Sequence, residues 1–392
     1  MTLAPRFTLS GLNLAILLTL SHAANDAFTN VLPVFLPIFQ ERFSLGEAVL
    51  ASFVAVISLS SNVLQAFMGA LADRWGKRRS AALGLIIGST LMSFIAVVPT
   101  VWMLFILLAV GGLGSAIFHP AASSMARNVS AKTGLSMGFF ISGGSLGSAL
   151  MPIVALAIIR NYGTQYVPYL ALIGIVIGSL LFVLSPEQTV ARGANRPKIF
   201  DRDLFFGPVG LLSVVGIMRA ITFIGFTNAI PLWLVNIKGF APDAQIIGWT
   251  LATYSISSSI GVMGAGALEH ILGRRLLIAG SMLLALPALL VLFLIPPGSV
   301  LYFLLVALIG ILTNASVPLL VVSAQDLAPH AVATASGMLM GFTWGIAGVL
   351  YIGFGALQET IGLTSAMIVS YLFLLPAAFL ALWVLRKQTA SS

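Results

Sequence analysis

Phe28-Thr29-Asn30-Val31-Leu32-Pro33 returns 198 positions later as Phe226-Thr227-Asn228-Ala229-Ile230-Pro231, and this recurrence governs the reading of the whole chain. Gly69-Ala70-Leu71 followed by Gly76-Lys77-Arg78 returns as Gly266-Ala267-Leu268 followed by Gly273-Arg274-Arg275, offset by 197. Pro120 and Pro318 keep the offset of 198, and Gly138-Phe139 and Gly341-Phe342 stand 203 apart, as if five residues had entered the loop between. A single match in a chain rich in Gly, Leu and Ala arises by chance. Four in register, each at the same place in its half, indicate a duplicated architecture.

The solvent for that architecture is lipid. Of 392 residues 59% are hydrophobic and 8% charged, and the mean hydropathy is +1.07. A soluble domain of this length needs far more polar surface to cover its core. The formal charge of +8 does not indicate nucleic acid, because the basic residues punctuate apolar segments instead of forming one patch. The absence of cysteine excludes disulfides and thiolate metal sites. The first apolar stretch follows a single Arg6, is too long for a signal-peptide core and contains Asp26, so it reads as an uncleaved first span.

A spanning helix needs about 20 mostly apolar residues. Such stretches lie at approximately 11–38, 46–71, 80–98, 101–126, 134–159, 166–185, 206–236, 244–268, 276–295, 300–326, 331–357 and 362–385. They are too long for barrel strands, and a helix satisfies its own backbone in hydrocarbon. With both termini cytoplasmic, that side holds Arg6, Arg74, Lys77, Arg78, Arg79, Arg127, Lys132, Arg192, Arg196, Lys198, Arg202, Arg274, Arg275, Arg386 and Lys387. The other side holds only Arg42, Arg160 and Lys238, and Arg219 lies inside a span. This bias predicts a multi-pass protein of the plasma (inner) membrane with both ends inside. The polar stretch 186–205 reads as a cytoplasmic linker between an N-terminal six-helix bundle, 1–185, and a C-terminal one, 206–392.

Gly69-Ala70-Leu71-Ala72-Asp73-Arg74-Trp75-Gly76-Lys77-Arg78-Arg79, between spans two and three, resembles the G-x-L-a-D-r-x-G-r-k signature of the major facilitator superfamily. A weaker copy lies between spans eight and nine, with His270 where Asp73 would lie. The resemblance implies an all-α membrane protein of twelve transmembrane helices in two pseudo-twofold-related bundles, with substrate bound between them. It also implies that Gly69, Asp73, Arg74, Gly76, Lys77 and Arg78 form a conformational latch; enforcing topology is the plainer role of the basic cluster. Ser21-His22-Ala23-Ala24-Asn25-Asp26 and Gly112-Leu113-Gly114-Ser115-Ala116-Ile117-Phe118-His119-Pro120 resemble the fosmidomycin-resistance group of efflux transporters. The chain departs from its relatives at Ala121, where that group often has an acid. It departs again at Leu108, where many proton-coupled antiporters have arginine.

Of eleven acidic residues only Asp26 falls deep in a span. A carboxylate there costs about 2.5–3.5 kcal/mol on insertion scales, and such residues usually mark proton or ion pathways. His22, Asn25, Asp26 and Asn30 share one helical face. Asp26, His22 and His119 are therefore the candidate proton-coupling residues, although a histidine before a proline kink also serves as a packed residue. Arg219 is the one basic residue at mid-membrane. It reads either as a structural partner for Asp26 or as an anchor for a substrate carboxylate, phosphonate or phosphate. Asn25, Asn30, Gln65, Asn228 and Asn314 join it as candidate substrate-binding residues, against the plainer reading of helix–helix hydrogen bonds, which also covers Asn62.

No Walker-type G-x-x-x-x-G-K-[ST] occurs, so energy is expected from a gradient. The sequence thus predicts a proton-coupled secondary transporter exporting small organic or drug-like compounds by alternating access, functional as a monomer. No cofactor and no metal are expected; its partners are a small-molecule substrate, protons and membrane lipid. The rivals are a proton-coupled importer of a small organic anion, an intramembrane enzyme and a non-transporting sensor.

Overall fold

Asn30 ends the first helix. Gly11–Thr29 stops there, with Asn30 at φ −98° and ψ 13°, and the chain resumes as Leu32–Phe43. Pro33 has no N–H to return to the carbonyl of residue 29, and it sits near the start of the new helix, where that missing donor costs nothing. The copy of this motif behaves differently: Pro208–Asn236 runs unbroken through Pro231. Span two is also interrupted, as Glu47–Ser58, a π turn at Leu59–Val63, and Gln65–Trp75.

The computed structural model describes residues 9–129, 133–187, 202–329 and 331–386. Most of the expected linker, and with it Arg192, Arg196 and Lys198, lies outside these residues, as do Arg6, Lys132 and Lys387. After these two spans, among the described residues, follow ten helices long and apolar enough to cross a membrane, one of them with its own π turn at Met338–Phe342. They begin at Lys77, Val101, Met137, Thr164, Pro208, Gln245, Arg274, Val300, Thr334 and Leu363. The protein is an all-helical membrane protein of about twelve helices. Within the spans, helix surfaces carry apolar side chains such as Phe379, Leu304 and Val176, each more than half exposed, an arrangement suited to acyl chains.

The duplication persists in detail. Gly76 (φ +97°) and Gly273 (φ +77°) each turn the chain into the next span. Thr100 Oγ1 caps span four by accepting from Met103 N at 3.3 Å, and Ser299 Oγ caps span ten by accepting from Tyr302 N at 3.2 Å. Lys77 donates to Ser124 Oγ, and Arg274 to Ser323 Oγ at 3.4 Å. A side chain at a glycine-only backbone conformation costs on the order of 1–3 kcal/mol. Gly273→Ala, whose Cβ meets nothing within 4 Å, isolates that backbone cost. Gly76→Ala adds a clash with the Glu187 carboxylate, 2.6 Å from the new Cβ. Both variants are expected to lower the heat-denaturation midpoint in detergent, Gly76→Ala more.

Two compact units result. One gathers Met1–Phe35, Val56–Ala194 and Asp243–Gly248; the other gathers Leu36–Ala55, Asn195–Pro242 and Trp249–Ser392. In the second, Asn236 donates to Gln40 Oε1 at 2.8 Å and Ala48 N to Glu359 Oε1 at 3.0 Å. In the first, spans three and four meet through Gly84, Gly88, Gly111 and Gly114, and span one lies along the glycines of span five.

Candidate functional site

Span one approaches span five closely because Gly143, Gly144 and Gly147 leave no side chain in the way. A Cβ at Gly143 would strike Thr19, and one at Gly147 would strike the Ala23 carbonyl. This contact brings His22 and Asp26 against span five while span four presents Ser115 and His119, one turn apart.

Asp26 is the centre of the cluster. Its Oδ2 lies 3.2 Å from His22 Nε2, and its Oδ1 lies 3.3 Å from His119 Nε2. Asn25 Nδ2 is 3.0 Å from Asp26 Oδ1, 3.1 Å from Ser115 Oγ and 3.2 Å from His119 Nε2. The His22 ring stacks on Phe140 with centroids 4.1 Å apart, and its Nδ1 donates to the Phe140 carbonyl at 2.7 Å. The Asp26 side chain is 19% exposed, so the carboxyl is largely but not wholly sealed.

These contacts count protons. The Phe140 carbonyl only accepts, so His22 Nδ1 carries hydrogen. The Nε2 of His22 and Oδ2 of Asp26 must then share one more: either His22 is an imidazolium facing a carboxylate, or a protonated Asp26 donates to a neutral ring. His119 has a similar choice. With a proton on Nε2 it donates to Asp26; without one it accepts from Asn25, whose two amide hydrogens face three acceptors. The geometry of the cluster thus fits more than one placement of these hydrogens. The donor atoms of His22, Asp26 and His119 lie within 4.8 Å of one another, a spacing compatible with a metal ion. Their bonds to each other, to Asn25 and to the Phe140 carbonyl already occupy them, and the neighbouring Ser115 and Asn25 would complete a metal shell poorly.

Arg219 occupies a separate environment in span seven. It is 2% exposed, its Nη1 donates to Asn314 Oδ1 at 3.1 Å, and its Cζ lies 4.5 Å from the centroid of the Trp344 ring. Burying an uncompensated charge costs several kcal/mol. A π face returns about 2 kcal/mol when desolvated, and a hydrogen bond to a charged group about 1.5–3. The guanidinium is held in place but not neutralised.

Of the residues predicted from sequence, His22, Asn25, Asp26 and His119 converge on one point, and Arg219 and Asn314 on another. Asn30 donates to Ser148 Oγ at 3.0 Å, and Asn228 bonds within its own helix to Ile224 O at 2.9 Å. Gln65 is half-buried and opens the helix after the π turn. Asn62 lies inside that turn. In the loop motif, Gly69 faces Pro120, and Arg78 pairs with Glu187 at 3.3 Å and donates to the Ser185 carbonyl at 3.3 Å. Arg74 is exposed, and the Asp73 side chain lies outside the described residues. In the second copy Arg274 bridges Glu269 and Asp326, each at 2.6 Å. Sequence reasoning missed Phe140, Trp344 and Tyr254, and it gave Gly144 and Ser115 no role.

A family model described as Major Facilitator Superfamily matches residues 18–352. The fosmidomycin resistance protein of Escherichia coli (strain K12) is 25% identical over 343 residues, 85% of this chain and 83% of that one. An uncharacterized MFS-type transporter of Bacillus subtilis (strain 168) is 26% identical over 369 residues, 90% of this chain and 88% of its own. Among solved structures, a point mutant of the nucleoside transporter NupG superposes with a TM-score of 0.82 at 15% identity, covering 95% of this chain and 100% of that one.

Proposed function

This chain belongs to the Major Facilitator Superfamily, and from that premise we propose that it is a proton-coupled exporter of small organic or drug-like compounds. Membership makes it a secondary transporter, not an enzyme. The finer reading is carried by one observation: a membrane-embedded carboxyl held between two imidazoles, able to load and unload protons. The name of the fosmidomycin resistance relative favours efflux over uptake. In this reading 1–185 and 206–392 rock about a central site, joined by 186–205, and both termini face the cytoplasm of a cell whose plasma membrane holds the protein as a monomer. Asp26, His22 and His119 couple protons; Asn25, Asn30, Gln65, Arg219, Asn228 and Asn314 line the substrate path. Gly69, Asp73, Arg74, Gly76, Lys77 and Arg78 latch one end.

The test is a proteoliposome assay with an internal pH dye and a panel of candidate compounds. Export coupled to protons requires that a transported compound and protons move in opposite directions. Movement of compound with no proton signal, at any imposed pH gradient, would refute the coupling.

A smaller change tests the geometry. At Gly144 a Cβ would lie 2.8 Å from His22 Nε2 and crowd the Asp26 carboxylate. Both neighbours are side-chain ends that can move, so Gly144→Ala is expected to fold. Displacing a proton-sharing pair by a fraction of an ångström is expected to slow coupled transport at least about tenfold, equivalent to ~1.4 kcal/mol. Unchanged coupled flux in Gly144→Ala would show that the His22–Asp26 contact is incidental.

A further inference from the structure

Among the described residues the charge of Arg219 meets no anionic partner: no carboxylate acts on the guanidinium. It presents five N–H donors; Asn314 takes one, and Nε has no partner. Asn314 cannot offer more, because its Nδ2 donates to Ser258 Oγ at 2.9 Å and to the Gly310 carbonyl at 3.2 Å, which fixes its oxygen toward Arg219. Trp344 attracts the charge through its π face and supplies no acceptor oxygen.

The neighbouring hydroxyls crowd together beside it. Tyr254 Oη faces Thr313, Asn314, Tyr371 and Arg219, yet completes no hydrogen bond of normal geometry. Thr313 Oγ1 and Tyr371 Oη face the same oxygen and each other, and they too complete no hydrogen bond of normal geometry. Buried polar groups in folded proteins are almost always satisfied, and a cluster of exceptions around one cation calls for an explanation. A purely structural arginine is normally matched with a carboxylate or with several carbonyls, and this one is not.

We propose that Arg219, with Tyr254, Thr313 and Tyr371, recognises an anionic head group of the transported compound, a carboxylate or phosphonate on an organic body. Such a group is rich in acceptors and matches the guanidinium fork in two parallel hydrogen bonds. Arg219 is 2% exposed, so the anion reaches it only when the helices around it part, as alternating access requires. Asn314 and Trp344 hold the guanidinium in the meantime. The inference rests on the transporter reading above, and it is independent of the proton site.

The experiment is calorimetric titration of the purified full chain in detergent with benzoate and phenylphosphonate, and with benzyl alcohol and benzylamine as neutral and cationic counterparts. At least one anion is expected to bind saturably and at least about tenfold tighter than benzyl alcohol, with benzylamine silent. Arg219→Gln is expected to abolish that preference, and Arg219→Lys to restore only part of it, since an ammonium keeps the charge but lacks the fork. Should Arg219→Gln fail to fold, Tyr254→Phe and Tyr371→Phe serve instead, because each removes an unbonded hydroxyl. They are expected to keep the heat-denaturation midpoint and to weaken anion binding about three- to tenfold. Anions binding no better than benzyl alcohol, or equally well without Arg219 or without both hydroxyls, would overturn the proposal. A wild-type protein that shows no anion preference while its coupled export is intact sinks this inference alone. Anion binding without coupled flux sinks only the earlier reading.

Discussion

Asp26→Asn is expected to abolish proton-driven export while sparing the exchange of labelled for unlabelled substrate. Asparagine keeps the shape of the side chain and removes its charge. Its amide can donate to His22 Nε2, while Nδ1 of the ring continues to serve the Phe140 carbonyl, so the variant mimics the protonated carboxyl. A carrier frozen in one protonation state still isomerises with substrate bound, but it no longer carries net charge for the gradient to act on. A proton crossing 100 mV supplies ~2.3 kcal/mol, and all of that drive is lost. The substrate gradient that 100 mV sustains in proteoliposomes is expected to fall by about fiftyfold, the ratio to which ~2.3 kcal/mol corresponds. Counterflow is expected to stay within a few-fold of wild type. Asp26→Asn that accumulates or expels substrate against a gradient at the normal rate would mean that the proton travels by another route.

Much of this site is legible in the residues alone because lipid makes polar side chains conspicuous. Asp26 stands out as the one acid deep in a span, and His22 and Asn25 follow from helical spacing. His119 follows from its place beside Pro120. What pairs with them is not legible. The acceptor for His22 is a backbone carbonyl, at Phe140, and every residue has one. Gly144 makes room for the carboxylate, and Gly143 and Gly147 beside it mark close packing, but nothing local says which side chain comes to lie there. Arg219 is conspicuous for the same reason as Asp26, and its surroundings are not. Trp344 is distant in sequence and Tyr254 looks like an ordinary aromatic in an apolar helix.

The fold shows the same division. Spans are read easily, since each must be long and apolar to cross hydrocarbon. Their irregularities are set by neighbours. The same Phe-Thr-Asn-x-x-Pro pattern breaks span one after Thr29 and leaves span seven continuous, so local chemistry permits a break without dictating it.

A large stability effect is expected at Gly114. In lipid there is little hydrophobic drive between helices, and association rests on close packing. Spans three and four achieve it by touching backbone to backbone. A Cβ on Gly114 would lie 2.5 Å from Gly88 N, 2.7 Å from the Gly84 carbonyl and 2.8 Å from Gly88 Cα. In return, a Cβ on Gly84 would lie 2.5 Å from the Gly114 carbonyl and 2.8 Å from Phe118 N. None of these atoms ends a flexible side chain, so the helices must separate. Overpacking of this kind costs typically ~1–3 kcal/mol for one methyl group, and Gly114→Val is expected to exceed it. Gly280→Ala, with nothing within 4 Å of its Cβ, is the matched control. Heating detergent-purified protein is expected to denature Gly114→Ala several degrees below wild type, with Gly280→Ala unchanged. The effect reaches function because Ser115 and His119 follow on the same helix. Moving that helix by about 1 Å draws His119 away from Asp26, and misplacement on this scale can cost two orders of magnitude in rate. Gly114→Ala is therefore expected to lose coupled transport even at temperatures where it remains folded. If it melted with wild type and pumped normally, the contact between spans three and four would be looser than a backbone-to-backbone seam, and the placement of His119 would not depend on it.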